Sequence, residues 1–387
     1  MGPLAGYKVI ELASVGPVPM CGMLLADLGA DVIWIDRVAP VELGVDRDPA
    51  LEVTGRGKRS VVLDLKQPAG RETALELISQ ADVLIEGFRP TVMEGLGLGP
   101  SDCFERNPRL VYGRLTGWGQ EGPLASAAGH DMNFVALTGA LHSMGSANGP
   151  PVPPLNLLGD FAGGSLFLAL GIASALVERH SSGIGQVVDA AIIDGVSALL
   201  ASVHGQASGG IWQDQRGAHV IGGAAPWNAV YETRDGQHIT FCGIEGRFFN
   251  LFLDAVGIES SSLPDRHDRS NWPRLRAKFE EIFLARDSAE WCRLLEGTDC
   301  CFAPVLSVNE ARRHPHAVAR GMFCSLEGVV QPRPAPRFSR TSTEILRPPV
   351  KEPGQHSTEI LLEAGLSSEQ IASVQDGGRN KCDQKME

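Results

Sequence analysis

Five short apolar runs alternate with helix-compatible stretches over the first 115 residues, and this rhythm limits the fold more than any other feature. The runs are residues 7–12 (YKVIEL), 31–35 (DVIWI), 60–65 (SVVLDL), 82–85 (DVLI) and 110–115 (LVYGRL). Helices are predicted over 20–28 and up to Ile78. Strands alternating with helices at this spacing imply an α/β chain with a mainly parallel, Rossmann-like sheet covered by helices on both faces.

Such a start invites a dinucleotide-binding reading, with Asp36 gripping a ribose. The first strand–helix loop, Ser14-Val15-Gly16-Pro17-Val18-Pro19, argues against it. Its two prolines remove amide donors that would have to cradle a pyrophosphate, and no GxGxxG is present.

Composition excludes other classes. A formal charge of -12 leaves no basic face for nucleic acid, though a local basic cluster can still hold one polyanionic ligand. Apolar content of 43% with 21% charged residues is that of a globular chain. The eight cysteines, at 21, 103, 242, 292, 300, 301, 324 and 382, form no CxxC pair or zinc-ligand spacing, so no metal is expected and a reducing compartment is. No basic–apolar leader opens the chain, Gly6 stands where a myristoylation signal wants Ser or Thr, and Lys385-Met386-Glu387 is not a peroxisomal address. The expected location is therefore cytoplasmic. The uncharged stretch 161–177 (FAGGSLFLALGIASALV) is read as a buried helix packed closely on other backbone rather than a membrane span.

Residues 185–225 read as connecting structure. A β-hairpin follows, 231–234 and 238–242 around Asp235-Gly236, then helices at 272–284 and 289–295. The prolines of 331–353 predict an extended connector, and Ser367 with Gln370 predicts a capping box opening the last helix.

Three motifs carry chemistry: Gly129-His130-Asp131-Met132-Asn133-Phe134, Asn156-Leu157-Leu158-Gly159-Asp160-Phe161, and Gly243-Ile244-Glu245. Each alone has a structural reading: a His–Asp hydrogen-bonded pair, an Asp capping a helix, a solvated Glu. Their combination carries more.

That combination, with the strings ELASVGPVP, LADLGADVIWIDR, SVVLDLKQPAG, ADVLIEGFRP, LTGWGQEGP, PPLNLLGDFAGG and PRPAPRFSR, resembles the α-methylacyl-CoA racemases within the wider family of formyl-CoA and carnitine-CoA transferases. The resemblance runs from Val9 to about Arg340. It implies a large CoA-binding α/β domain from both chain ends (1–190 and 335–387), linkers at 191–223 and 314–334, and a small domain at 224–313. It also implies an interlocked homodimer, with the active site between one chain's large domain and the other's small domain. No cofactor is implied; coenzyme A is part of the substrate.

The α-proton of a thioester is only weakly acidic, so inversion needs a base on one face and a proton donor on the other. An imidazole ordinarily titrates near neutrality, and burial can raise a carboxyl towards it. By resemblance His130 takes the proton from one epimer and Asp160 from the other, while Glu245 orients the imidazole. Asp160, read as opening the Gly-rich helix, would gain enolate stabilisation from nearby amides and the helix dipole. Coenzyme A needs cations, and Arg37, Lys66 and Arg89 each follow a strand, at the sheet's carboxyl edge. By resemblance Leu63, Asp64, Leu65, Lys66, Gly87, Phe88, Arg89, Gly129, His130, Asp131, Met132, Asn133 and Phe134 line the CoA site. Arg56, Lys58 and Arg59 either add charge there or form a solvated face.

The chain departs from the racemase pattern at Phe134, Gly95 and Gly246. It departs most at 217–226, where His219-Val220-Ile221-Gly222 stand in a loop expected to border the acyl pocket. His219 would there alter the proton inventory. Two alternatives stay open: a CoA-transferase of the same fold using Asp160 as nucleophile, and a non-catalytic CoA-ester-binding homologue.

Overall fold

The computed structural model describes residues 2–38 and 48–374. The C-terminal tripeptide and Cys382, used above, lie outside them. The chain forms two compact units, one of residues 1–138, 154–201 and 321–387, the other of 139–153 and 202–320. These units are cut differently from the expected domains and linkers: residues 139–153, 202–223 and 314–320 fall in the second unit, and 191–201 and 321–334 in the first.

The first unit is built on six parallel strands: β1 (Lys8–Leu12), β2 (Asp31–Asp36), β3 (Lys58–Val62), β4 (Val83–Glu86), β5 (Val111–Thr116) and β6 (Val187–Ala191). Their order, β3-β2-β1-β4-β5-β6, is that of a Rossmann sheet. β1, β4 and β5 are buried almost throughout, as near-continuous apolar runs in a doubly covered sheet must be. β6 falls in the stretch read as connector. It is one of the two edge strands, three of its five residues are not buried, and so it lacks the continuous apolar run that marks the central strands.

Charged residues open β3, which starts at Lys58 rather than Ser60. Arg56, Lys58 and Arg59 are 1%, 1% and 4% exposed, so neither reading offered for them holds. Arg56 forks onto Asp27 (2.6 Å) and reaches Gln331 Oε1 (3.0 Å). Lys58 pairs with Glu11 and donates to the Pro19 carbonyl (2.9 Å). Arg59 joins Asp31 to Glu359 and Glu363. Burial pushes Glu11 up to about 7, with Lys58 acting against it. Arg59 therefore fastens the last segment of the chain to β2 and β3, and Arg56 and Lys58 are held among buried partners rather than facing a phosphate.

The helix before β2, Pro17–Asp27, begins three residues earlier than expected, with Pro17 at its first position, where a missing N–H costs nothing. The apolar stretch 161–177 lies in a continuous helical segment, residues 157–182, whose first ten residues, Leu157–Leu166, are π-helical. Length and composition would let it cross a membrane, yet it packs on β5 and β6. Its glycines permit close backbone approach: a Cβ at Gly163 would lie 2.6 Å from Val196 Cγ2. Leu168, Ile172 and Leu176 are buried as that reading expects, whereas Leu166, Leu170 and Val177 are 52%, 63% and 73% exposed.

Prolines 331–353 are extended except at the start, where β10 (Phe323–Leu326) and β11 (Val329–Pro332) form a hairpin. Ser367 and Gln370 make the reciprocal capping bonds (2.8 and 3.3 Å).

In the second unit β7 (Asn228–Glu232), β8 (His238–Cys242) and β9 (Phe302–Pro304) form an antiparallel sheet, with Gly236 at φ 74° in the hairpin turn. Helices Gly246–Val256, Trp272–Phe283 and Ser288–Leu295 cover it around Phe241, Phe252, Phe279, Phe283 and Trp291.

Candidate active site

A cavity of about 380 Å³ opens where the strand order reverses, at the carboxyl ends of β1, β4 and β5. This switch point is where open α/β sheets collect ligands. Three loops wall it: Val15–Val18 after β1, Gly87–Pro90 after β4, and Thr116–Trp118 after β5. Behind them stand Gly129, His130, Asp131, Phe134, Asp160 and Ile192.

Both expected bases thus face one cavity. His130 is the exposed N-cap of the Asp131–Leu137 helix, and its backbone N–H donates to Asn133 Oδ1 (3.0 Å). Asp160 lies in the first turn of the π-helical segment, not at its cap, which is Asn156. Burial first, then the Asp131 charge, push the Asp160 carboxyl up to about 6, against an Asn156 hydrogen bond and the nearby His130. A carboxyl so placed holds and releases a proton near neutrality.

The amides near Asp160 are already engaged. The N–H groups of Asp160 (2.7 Å) and Gly159 donate to the Asp131 carboxylate, and that of Phe161 to the Asn156 carbonyl (3.2 Å). The expectation that this helix start stabilises an enolate is therefore corrected: a carboxylate of the protein already answers its donors and dipole.

Glycines shape the walls. Gly16, at φ 72°, brings the backbone so near Asp160 that a Cβ there would lie 3.0 Å from Oδ2. Asp160 thereby occupies the start of the Pro17–Asp27 helix, the place a dinucleotide fold gives to pyrophosphate. Phe134 lies across Gly117 and Gly129, where added Cβ atoms would come within 2.0 and 2.6 Å of its ring, and meets Trp118 edge-on at 4.7 Å.

Among the residues expected around coenzyme A, Gly87, Phe88, Arg89, Gly129, His130, Asp131 and Phe134 line this cavity; Arg37, Leu63, Asp64, Leu65, Lys66, Met132 and Asn133 do not. Arg37 remains at the same edge, its guanidinium 5.7 Å from the Phe88 ring centre and donating to the Ala13 carbonyl (3.1 Å). Leu63 belongs to the core. Lys66 and Arg89 are exposed. Glu245 is the N-cap of the Gly246–Val256 helix in the second unit. There too His219 stacks on Trp212 (ring centres 3.3 Å apart), with Nε2 2.7 Å from the Gln213 carbonyl. The motifs did not single out Gly16, Trp118 or Ile192 as lining residues. All three sit in strings that carry the resemblance, Gly16 in ELASVGPVP, Trp118 in LTGWGQEGP and Ile192 in GQVVDAAIIDG, and that was the available signal.

A parallel sheet with His130 and Asp160 in one cavity at its switch point defines an α/β site of the open-sheet type. The chain belongs to CoA-transferase family III, whose model matches residues 4–357. It is 42% identical to α-methylacyl-CoA racemase of Mus musculus over 96% of both chains, and 42% identical to the Homo sapiens enzyme of that name over 95% of both. Among solved structures it resembles a CaiB/BaiF family protein from Brucella suis, with TM-score 0.81 and 26% identity, covering 94% of this chain and 99% of that one.

Proposed function

We propose that the chain interconverts the two α-epimers of 2-methylacyl-coenzyme A thioesters by proton transfer. The observation that carries this is the pairing of His130 with Asp160, a carboxyl pushed up to about 6, in the wall of one cavity. From one epimer the His130 imidazole takes the α-proton; the C–H electron pair delocalises onto the thioester oxygen. Asp160 then returns its carboxyl proton to the opposite face, leaving imidazolium and carboxylate, which exchange with solvent to reset. The other epimer runs the sequence in reverse. No redox or metal chemistry enters these steps, since every bond change is a proton transfer.

Arg37, Lys66 and Arg89 are assigned to the phosphates of coenzyme A, and Glu245 to orienting the imidazole. The proposed assembly is an interlocked homodimer; the exposed apolar side chains Leu166, Leu170 and Val177 support burial against a second copy. The proposed location is cytoplasmic.

Each epimer incubated with the protein in D2O is expected to lose its α-proton and yield both epimers by NMR. His130→Ala should reduce that exchange by roughly 10²–10⁴-fold. Transfer of coenzyme A to an added carboxylate, unaffected by His130→Ala, would instead identify a transferase using Asp160 as nucleophile.

A further inference from the structure

Asp131, expected among the coenzyme A contacts, turns its carboxylate into the protein. Oδ1 accepts the Asp160 N–H at 2.7 Å, and the carboxylate also accepts the Gly159 N–H. Fit is tight at the second position, where a Cβ on Gly159 would lie 2.2 Å from that oxygen and 2.9 Å from Val135 Cγ2. Only glycine lets the acceptor reach both amides. Asp131 is also the first residue of the helix that His130 caps, so it is bonded to one base and hydrogen-bonded to the backbone of the other, 29 residues away.

We propose that Asp131 is a positioning residue for the reaction, one that fixes the separation of His130 and Asp160 and sets the charge environment in which Asp160 holds its proton. This rests on the acid–base reading of those two residues and deepens it. The charged groups facing Asp160 are Asp131, which strengthens its hold on a proton, and His130, which weakens it. The neighbouring helices present Pro17 and Ile192 to the cavity, without charge. Burial raises the Asp131 carboxyl above its ordinary range and its two amide donors oppose that rise; in its ionised form Asp131 places a negative charge beside Asp160.

The test uses the full chain, Asp131→Asn, and ¹³C-carboxyl NMR of Asp160 identified by its loss in Asp160→Asn. An Asn oxygen still accepts both amides while the charge is gone. The Asp160 midpoint should fall by roughly half a pH unit or more, about threefold weaker proton binding. In D2O exchange, the acid limb of the rate profile should move with it and the KM for the acyl-CoA should stay within about twofold. An unmoved or raised midpoint overturns the inference, as does a raised KM with an unmoved profile, which would make Asp131 a coenzyme A contact. Should Asp131→Asn fail to fold, Asp131→Ser, which also removes the charge, is judged by the same outcomes. Absence of exchange in the unaltered protein would refute the acid–base reading, yet the two NMR midpoints would still decide whether Asp131 governs Asp160.

Discussion

Replacing Asp160 by Asn should stabilise the protein in a way that depends on pH. The carboxyl rises from its ordinary 3.8 to about 6 in the folded chain, so the folded state binds this proton more tightly than the unfolded one. Its favourable contribution is full below the unfolded value, declines as pH rises through the window between the two, and is gone above about 6. The full shift corresponds to roughly 3 kcal/mol. Because the side chain is only part-buried, solvent screening reduces this to about 1–2 kcal/mol. An amide has no such dependence. The stability difference, variant minus unaltered protein, should therefore grow by about 1–2 kcal/mol between pH 4 and pH 7.5. Lost packing or a changed Asn156 hydrogen bond adds an offset that is the same at both pH values and cancels. Urea unfolding at matched pH reads this, followed on the transition of the unit that carries Asp160, since a chain of two units need not unfold in one step. A difference that is flat with pH, or shrinks as pH rises, would refute the reasoning, since Asp160 would then hold its proton no more tightly than a solvated carboxyl.

Two further substitutions probe the frame around the site. Gly16→Ala places a Cβ 3.0 Å from Asp160 Oδ2 at a φ of 72°; it should destabilise the fold by roughly 1–2 kcal/mol and lower kcat more than KM, as thermal melting and exchange kinetics would show. Lys58→Met leaves Glu11 buried without its cation and should cost roughly 3–5 kcal/mol by urea unfolding, whereas adding Glu11→Leu should recover much of that loss.

Strands β1, β2, β4 and β5 were legible because a doubly covered parallel strand is near-continuously apolar, and the Val, Ile, Leu, Trp and Tyr residues at the centres of YKVIEL, DVIWI, DVLIE and LVYGRL show it. β6 was not, because an edge strand exposed on one side needs no such run. The same limit hid the roles of Arg56, Lys58 and Arg59: sequence shows a basic cluster but not that Asp27, Glu11, Asp31, Glu359 and Glu363 converge on it. At the site, His130 and Asp160 were found through motif strings, and the cavity holds them both. That Asp131 points at a backbone 29 residues away, rather than outward, depends on tertiary placement, for which spacing carries no signal.

The ion pairs that tie the last segment to β3 also constrain how the protein comes into being. Arg59 finds its partners Glu359 and Glu363 only 300 and 304 residues downstream. At translation speeds of about 5–20 residues per second, that sequence takes roughly 15–60 s to follow Arg59 off the ribosome. Through that interval β3 is a nascent sheet edge with a half-matched arginine, while the whole second unit is synthesised and free to fold first. A message cut short before Glu359 therefore yields a product in which Arg59 has lost this fastening of the first strands to the chain's end.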